Sequence, residues 1–533
     1  MNMAFSRLKV VALATLVAVG TAAVAHADTV LRRGNGAEPQ TLDPHKLEGV
    51  PEFNITADLF EGLTTYAANG DVVPGAAKSW EISDDGLVYT FHLREDGKWS
   101  NGDPLTADDF VYSFRRAVDP ATASPYSYIL EPIVNAKEIT GGTEKDTTKL
   151  GVKALDPHTV QITLKEPTAH FLQLVRHNIS FPVNKAVVEK FGDQWTRPGN
   201  LVGNGAYMLS EWTPQASLTM VKNPNFHDAA SVKLDKVVYY PTEDIPEEFK
   251  RFRAGELDVT NEVPNDQIAT VKKDYKDQFH NEPYLGTYYY VINLTRDTLG
   301  KSKELREALA LAINRDVIVN KITQAGEMPA YSWVPPGIKG YEQQPLEFKD
   351  MKQAEREALA KKLYKEAGYG PDKPLKLEIL YNTSDNHKKI AVAIQNMWKK
   401  VLGVDATLTN QEWKVYLNTR KTKSYDVARA AWIGDYMDPY TFLQMFTSTA
   451  GDQNDAGYDS QKYDSDLDTA QKTVDQPARF KMLQDAEKTF VNDYAMIPIY
   501  HYTTKHLVSS KVKGWEFNLL DIHLERYIEV ASN

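Results

Sequence analysis

The chain runs to 533 residues with 42% hydrophobic and 25% charged side chains, a balance that supports folded domains and excludes an intrinsically disordered chain. Its 61 Lys and Arg against 72 Asp and Glu give a formal charge of -11 with no basic run, which argues against nucleic-acid binding because phosphate neutralisation needs clustered cations. There are no cysteines, so disulfides, thiolate metal sites, cysteine nucleophiles and lipid attachment through cysteine are excluded. A mean hydropathy of -0.45 and a single long apolar run exclude a polytopic membrane protein.

That apolar run comes first in the chain. Arg7 and Lys9 precede an apolar stretch from Val10 to Val19, and Gly20 leads into Ala25-His26-Ala27 just before Asp28. The pattern is that of an export signal over residues 1–27, cleaved after Ala27 and too short for a comfortable membrane span. With no cysteine at the junction, the product is expected free in the periplasm and not membrane-anchored. The remaining length predicts two to four domains.

Short strands and medium helices then alternate. Tyr89, Phe91 and Leu93 alternate within Val88 to Leu93, the period of a strand. Leu305, Ala308, Leu309, Ala312 and Ile313 recur at helical spacing. A helix is predicted from Gln353 to Ala367, with Gly368 ending it. Leu375 to Ile379 returns to strand alternation. Ile390, Ile394, Met397, Trp398 and Val401 mark another helix, stopped at Gly403. Mixed elements over this length predict an α/β protein of several lobes.

Signatures of reaction chemistry are missing. There is no HExxH, GxSxG, GxxxxGK or GxGxxG motif. Gly203-Asn204-Gly205 reads as a turn before a strand. Asp464, Asp466 and Asp468 imitate a calcium loop without its later glycine and glutamate, and read better as an acidic helix start. The 12 histidines lack metal-ligand spacing, and no cofactor is indicated. The 28 Tyr, 19 Phe and 9 Trp are more telling, because several stand beside isolated charges, as in Trp432-Ile433-Gly434-Asp435-Tyr436. Aromatics with a few fixed charges suit a site that encloses an amphiphilic ligand.

Two long segments carry a resemblance. Gly36-Ala37-Glu38-Pro39-Gln40-Thr41-Leu42-Asp43-Pro44-His45, and Ala77-Lys78-Ser79-Trp80-Glu81 through Trp99-Ser100-Asn101-Gly102 to Thr106-Ala107-Asp108-Asp109, resemble the peptide/nickel family of extracellular solute-binding proteins. Within that family the pattern is most similar to the oligopeptide-binding components of peptide ABC importers. Asp119 to Tyr126, Leu380 to Asp385 and Asp426 to Trp432 extend it over essentially the whole exported chain.

The resemblance implies an α/β, two-lobed periplasmic binding protein of the Venus-flytrap kind with an additional inserted domain, three domains in all. Lobe I would comprise 28–60, 186–286 and 504–533, the inserted domain 61–185, and lobe II 287–503. An extended oligopeptide would lie between the lobes, its backbone added to strands of the protein while its side chains enter hydrated pockets. The loaded protein, a monomer by resemblance, would deliver it to an inner-membrane ABC peptide permease.

Particular residues follow from the same resemblance. Asp435 would pair with the peptide's α-ammonium; from the residues alone it reads equally as the acidic start of a helix over Pro439 to Phe446. Glu48, Val50, Ala431 and Ile433 would offer backbone to the ligand. Arg429, Arg420 and His387 would meet a peptide carboxylate or bridge to Glu48, against the plainer readings of a strand salt bridge, a solvated basic turn and a helix-start surface residue. Trp413, Trp432, Tyr126 and Tyr502 would wall the pockets, or be ordinary core. Two departures stand out: relatives often carry a disulfide at the positions of Gly286 and Ile433, and some place a carboxylate-binding lysine at the position of Thr323. Murein tripeptide, dipeptides, haem and a nickel chelate are alternative cargoes, although Asp435 speaks for a free α-ammonium, which nickel chelates lack. A peptidase or a peptide-holding chaperone is the alternative of a different class.

Overall fold

The computed structural model describes residues 28–168, 170–473 and 475–531. The expected export signal, 1–27, lies outside these residues. Three sheets organise the rest. The first takes the order Val30–Gly34, Lys236–Tyr240, Ser217–Lys222, Tyr207–Thr213, with the first pair parallel and the others antiparallel. The second, antiparallel throughout, runs Ala77–Ile82, Val88–Leu93, Thr159–Thr163, Val152–Asp156. The third and largest runs Met328–Pro329, Met496–Thr503, Pro283–Ile292, Val427–Ile433, Lys376–Asn382, Asp405–Gln411. The N-terminal strand thus finds its partner far along the chain, which makes the first sheet discontinuous in sequence.

Local chemistry sets the elements that matter for the site. The strand Val88–Leu93 buries Tyr89, Phe91 and Leu93, as the alternation predicts. Against its sheet lies the helix Ala107–Val118, opened by a capping box in which the Thr106 amide donates to Asp109 Oδ2 at 2.8 Å. The helix Asp385–Leu402 is capped by Ser384, buries Ile390, Ile394, Trp398 and Val401, and ends at Gly403, whose φ of +78° is the left-handed conformation glycine adopts without strain. Trp398 fixes it by donating from Nε1 to the Leu309 carbonyl at 2.9 Å. The helix Gln353–Glu366 stops one residue earlier than the periodicity suggests, with Ala367 as cap and Gly368 just beyond it. Gly203 and Gly205 do precede a strand, and a Cβ on either would fall 2.0 or 2.3 Å from the carbonyl oxygens of Leu59 and Asp58.

Two chain crossings run side by side between the first and third sheets. Phe279–His280 pairs antiparallel with His506–Leu507, and Pro283 pairs with Thr503. The junction expected after residue 286 falls inside the strand Pro283–Ile292. The aspartates near 464 sit within the helix Gln461–Gln471, where Lys462 and Lys472 pair with Asp466 and Asp468. Among the described residues no cluster of His, Asp or Glu is arranged to hold a metal, and no helix is long and apolar enough to cross a membrane.

Candidate functional site

A cavity of about 360 Å³ lies between the sheets. The residues expected to touch the ligand all line it: Asp435, Glu48, Val50, Arg429, Arg420, His387, Trp413, Trp432, Ala431, Ile433, Tyr126 and Tyr502.

Its floor is the strand Val427–Ile433. One edge pairs along its whole length with Pro283–Ile292, whereas on the other edge Lys376–Asn382 reaches only Val427 and Ala428. Peptide groups along a strand alternate in direction. Because the Gly434 amide donates to the Leu285 carbonyl at 2.8 Å, the peptide groups of Ala430 and Trp432 also face the paired edge. Those of Ala431 and Ile433 therefore face the open edge within the cavity. That edge is a ready template for an added extended strand.

Asp435 stands just past this edge. Gly434 permits the approach, since a Cβ there would lie 2.7 Å from Leu285 Cδ2. Thr441 clamps the loop: its hydroxyl oxygen accepts from the Asp435 amide at 3.0 Å and donates to Asp435 Oδ2 at 3.2 Å, while its carbonyl accepts from Trp432 Nε1 at 2.9 Å. The helix-start role considered for Asp435 falls to Asp438, whose Oδ1 accepts from the Tyr440 amide at 2.9 Å and whose carboxylate grips Arg479 at 2.7 and 2.9 Å. The helix there is short, Tyr440–Leu443, followed by one tighter turn to Phe446. Among the described residues Asp435 is left with one ion-pair neighbour, His177, whose Nε2 lies 3.3 Å from Oδ1. His177 Nδ1 accepts from the Ile179 amide, which leaves the hydrogen on Nε2, facing the carboxylate.

Arg429 sits at the other end of the edge. Its guanidinium is buried, donates to Asn382 Oδ1 at 3.1 Å and to the Tyr502 hydroxyl at 2.9 Å, and lies 4.7 Å above the Tyr288 ring. Its Nε has no partner, and among the described residues no carboxylate pairs with it. A strand salt bridge is therefore not its role. Burying an unpaired guanidinium costs several kcal/mol, and an incoming carboxylate would recover much of that.

The neighbouring groups differ from expectation. Arg420 lines the cavity but its charge is taken by the buried Asp455, which it contacts through both Nε and Nη2. Glu48 bridges to Lys421, at 2.8 Å, and not to Arg429, Arg420 or His387. The Glu48 carbonyl accepts from the Tyr126 hydroxyl at 3.4 Å, whereas Val50 opens the helix Val50–Leu59, where first-turn amides lack intrahelical acceptors. His387 is not a cation: burial, reinforced by Arg429 and Lys505, holds its pKa well below the usual histidine value. Thr323 is fully buried away from the cavity and donates to Glu327 at 2.7 Å.

Trp413, Trp432, Tyr126 and Tyr502 combine wall and core. Tyr126 packs on His177 and Trp432 at centroid distances of 4.9 and 6.2 Å, and Trp413 stacks on Tyr416, whose hydroxyl bonds the Arg429 carbonyl. His177, Lys421, Asn382 and Lys505 were not singled out from the sequence. Asn382 lies in the segment Leu380 to Asp385 that carries the resemblance, but nothing local marks a role for any of the four; the fold brings His177, Asn382 and Lys505 to the cavity lining and Lys421 to Glu48 beside it.

Residues 71–454 match the family of bacterial extracellular solute-binding proteins, family 5. The chain belongs to this family. It is 44% identical over 488 residues to the periplasmic oligopeptide-binding protein OppA of Escherichia coli (strain K12), with 91% of this chain and 89% of that one covered. The structure superposes on the E. coli murein tripeptide binding protein MppA with a TM-score of 0.93 at 40% identity, covering 95% and 99% of the two chains. Haemophilus influenzae OppA in complex with the peptide RPPGFSPFR gives 0.92 at 37% identity, covering 95% and 100%. The architecture is thus the two-lobed α/β binding-protein fold with its additional domain.

A second structure of MppA, its unliganded open form, gives only 0.67 at the same 40% identity, covering 95% and 98%. Equal sequence similarity with unequal superposition leaves lobe arrangement as the difference. The arrangement here is not the open one, and contacts over the cavity agree: Lys421 to Glu48, His177 to Asp435, and Asn386 Nδ2 to Glu262 Oε2 at 3.1 Å.

Proposed function

We propose that this protein captures short peptides in extended conformation between its two lobes and delivers them to an inner-membrane ABC peptide permease. The observation that carries this reading is the open edge at Ala431 and Ile433, flanked by an acidic group at one end and an uncompensated guanidinium at the other. A peptide is the ligand whose main chain pairs with such an edge and whose termini carry the matching charges. Asp435 receives the α-ammonium, the backbones of Ala431 and Ile433, with Val50 opposite, hold the main chain, and Arg429 meets the carboxylate. Main-chain bonding supplies affinity without consulting side-chain identity.

Closure is a ligand-linked population shift, because only the closed arrangement surrounds the peptide on both sides. Lobe I is read as 28–60, 186–286 and 504–533, the inserted domain as 61–185 and lobe II as 287–503, a division supported by the three separate sheets except at 283–286, which begin a strand of the third sheet; the lobes would turn on the paired crossings near 280 and 506. Export with removal of residues 1–27, residence in the periplasm as a monomer, and binding without catalysis complete the proposal. Similarity to MppA supports murein peptide as a second cargo for the same module. Calorimetric titration with alanine peptides of three to five residues and with murein tripeptide tests both. Saturable one-to-one binding of the linear peptides supports the main reading, murein tripeptide alone supports the second, and binding of neither rejects the account.

A further inference from the structure

Lys505 lies in the second crossing between the lobes, just after the strand Met496–Thr503. Its side chain is 6% exposed and lines the cavity. Burying an ammonium is costly unless it is paired, and here the partner is Glu327, whose Oε1 lies 2.5 Å from Nζ. Glu327 is fully buried behind the cavity wall, and its other oxygen accepts from the Thr323 hydroxyl at 2.7 Å and the Ala325 amide at 3.0 Å. The carboxylate is therefore fixed from behind and holds the ammonium at the wall.

An ammonium has three N–H donors, and among the described residues Glu327 is the one group in ion-pair contact with Nζ. Lys505 also shares its corner with Arg429: both bear electrostatically on His387 and on the Tyr502 hydroxyl, to which Arg429 donates at 2.9 Å. Glu262 faces the same corner, and its carboxylate accepts from Asn386 across the cavity at 3.1 Å. Glu327 compensates Lys505, while among the described residues no carboxylate is in ion-pair contact with Arg429. One further carboxylate placed between the two cations would meet the unpaired guanidinium and the spare ammonium donors together.

We propose that Lys505 is a specificity-determining residue that, with Arg429, receives a carboxylate of the bound peptide. The inference rests on the reading of the cavity as a peptide site. The carboxylate belongs either to the peptide's C-terminus or to an acidic side chain at its last residue. Both present the same anion to the part of the cavity that Lys505 and Arg429 line.

Calorimetry with wild type, Lys505→Met and Lys505→Arg distinguishes the cases, using alanine peptides of three to five residues as free acids, as C-terminal amides, and as amides ending in glutamate. Lys505→Met is expected to weaken the free acids about 10- to 100-fold, the loss of one charge-assisted hydrogen bond, and the plain amides less than about threefold. Lys505→Arg is expected to retain the discrimination. If the glutamate-ended amides fall with the free acids, the corner takes either carboxylate; if they behave as plain amides, it takes the terminus alone. Equal weakening of free acids and plain amides would mean a structural role and overturn the proposal.

Lys505→Met leaves Glu327 unpaired, so Lys505→Met/Glu327→Gln is read beside it and replaces it should the single variant fail to fold. A crystal structure of the wild-type complex decides independently of any variant. Nζ within hydrogen-bond distance of a peptide carboxylate is the expected result, and a carboxylate bound elsewhere would refute it. Should no peptide bind wild type, the reading of the cavity itself fails; should peptides bind with discrimination indifferent to Lys505, only this inference does.

Discussion

Replacing Asp435 by asparagine tests the ammonium site. The side chain keeps its shape, so Thr441 can still bond it, but the charge is lost. Asp435 is 11% exposed with His177 as its ion-pair neighbour, so a ligand ammonium there would be largely desolvated and would depend on this carboxylate. Removing one partner of such a buried pair costs about 2–5 kcal/mol, or roughly 30- to several-thousand-fold in Kd. The assay is titration calorimetry of one peptide with a free and with an acetylated amino terminus, on wild type and on Asp435→Asn. Acetylation should weaken binding to wild type by that factor and have little further effect on the variant, because the two changes remove the same interaction. Additive losses would show that Asp435 and the amino terminus do not meet. Unchanged affinity of Asp435→Asn would remove the carboxylate from the site altogether.

Arg429→Met should weaken free-acid peptides by about 10-fold or more while sparing their C-terminal amides, read by the same titrations; equal effects on both would refute the carboxylate role. His170 stacks on Tyr436 at 4.7 Å, and burial, opposed by Asp438 and reinforced by Arg479, pushes its pKa down to about 4. A base depressed in the folded state binds fewer protons than in the unfolded chain. Its full contribution is therefore present above about pH 6.5, and about 3 kcal/mol is lost as pH falls toward 4. Denaturant titrations between those values should show His170→Phe losing less stability than wild type on acidification, and parallel slopes would contradict this. Gly286 lies directly opposite Ile433 in a pair that exchanges no hydrogen bonds, a spacing compatible with a disulfide. Gly286→Cys/Ile433→Cys should oxidise spontaneously and raise the melting temperature; closing a loop of roughly 150 residues is worth up to about 5 kcal/mol by chain entropy. Free thiols under air, measured by alkylation and mass spectrometry, would reject that register.

Much of this was legible in the sequence where the signal is local. The alternation at Val88 to Leu93 and the apolar spacing from Ile390 to Val401 each specify one buried face, and the left-handed glycine at 403 specifies an end. The cavity lining was legible through resemblance, because long motifs carry position as well as chemistry. Partner choice was not. Arg420 and Asp455 meet across 35 residues of chain, and nothing in the basic turn Arg420 to Lys423 says which cation turns to Asp455 and which to Glu48. Asp435 reads as a helix start until Thr441 is seen to clamp it and Asp438 to take that place, held by Arg479. His387 reads as basic in sequence, and only its burial beside two cations makes it neutral. These outcomes depend on which distant groups share a low-dielectric space, and that is a property of the tertiary fold.

The central claim, that the cavity holds peptides, is tested most directly by purifying the protein from the cells that make it under native conditions and identifying what leaves it on denaturation by mass spectrometry. The account predicts a heterogeneous set of short linear peptides at close to one per protein. A single non-peptide species at that stoichiometry would contradict it.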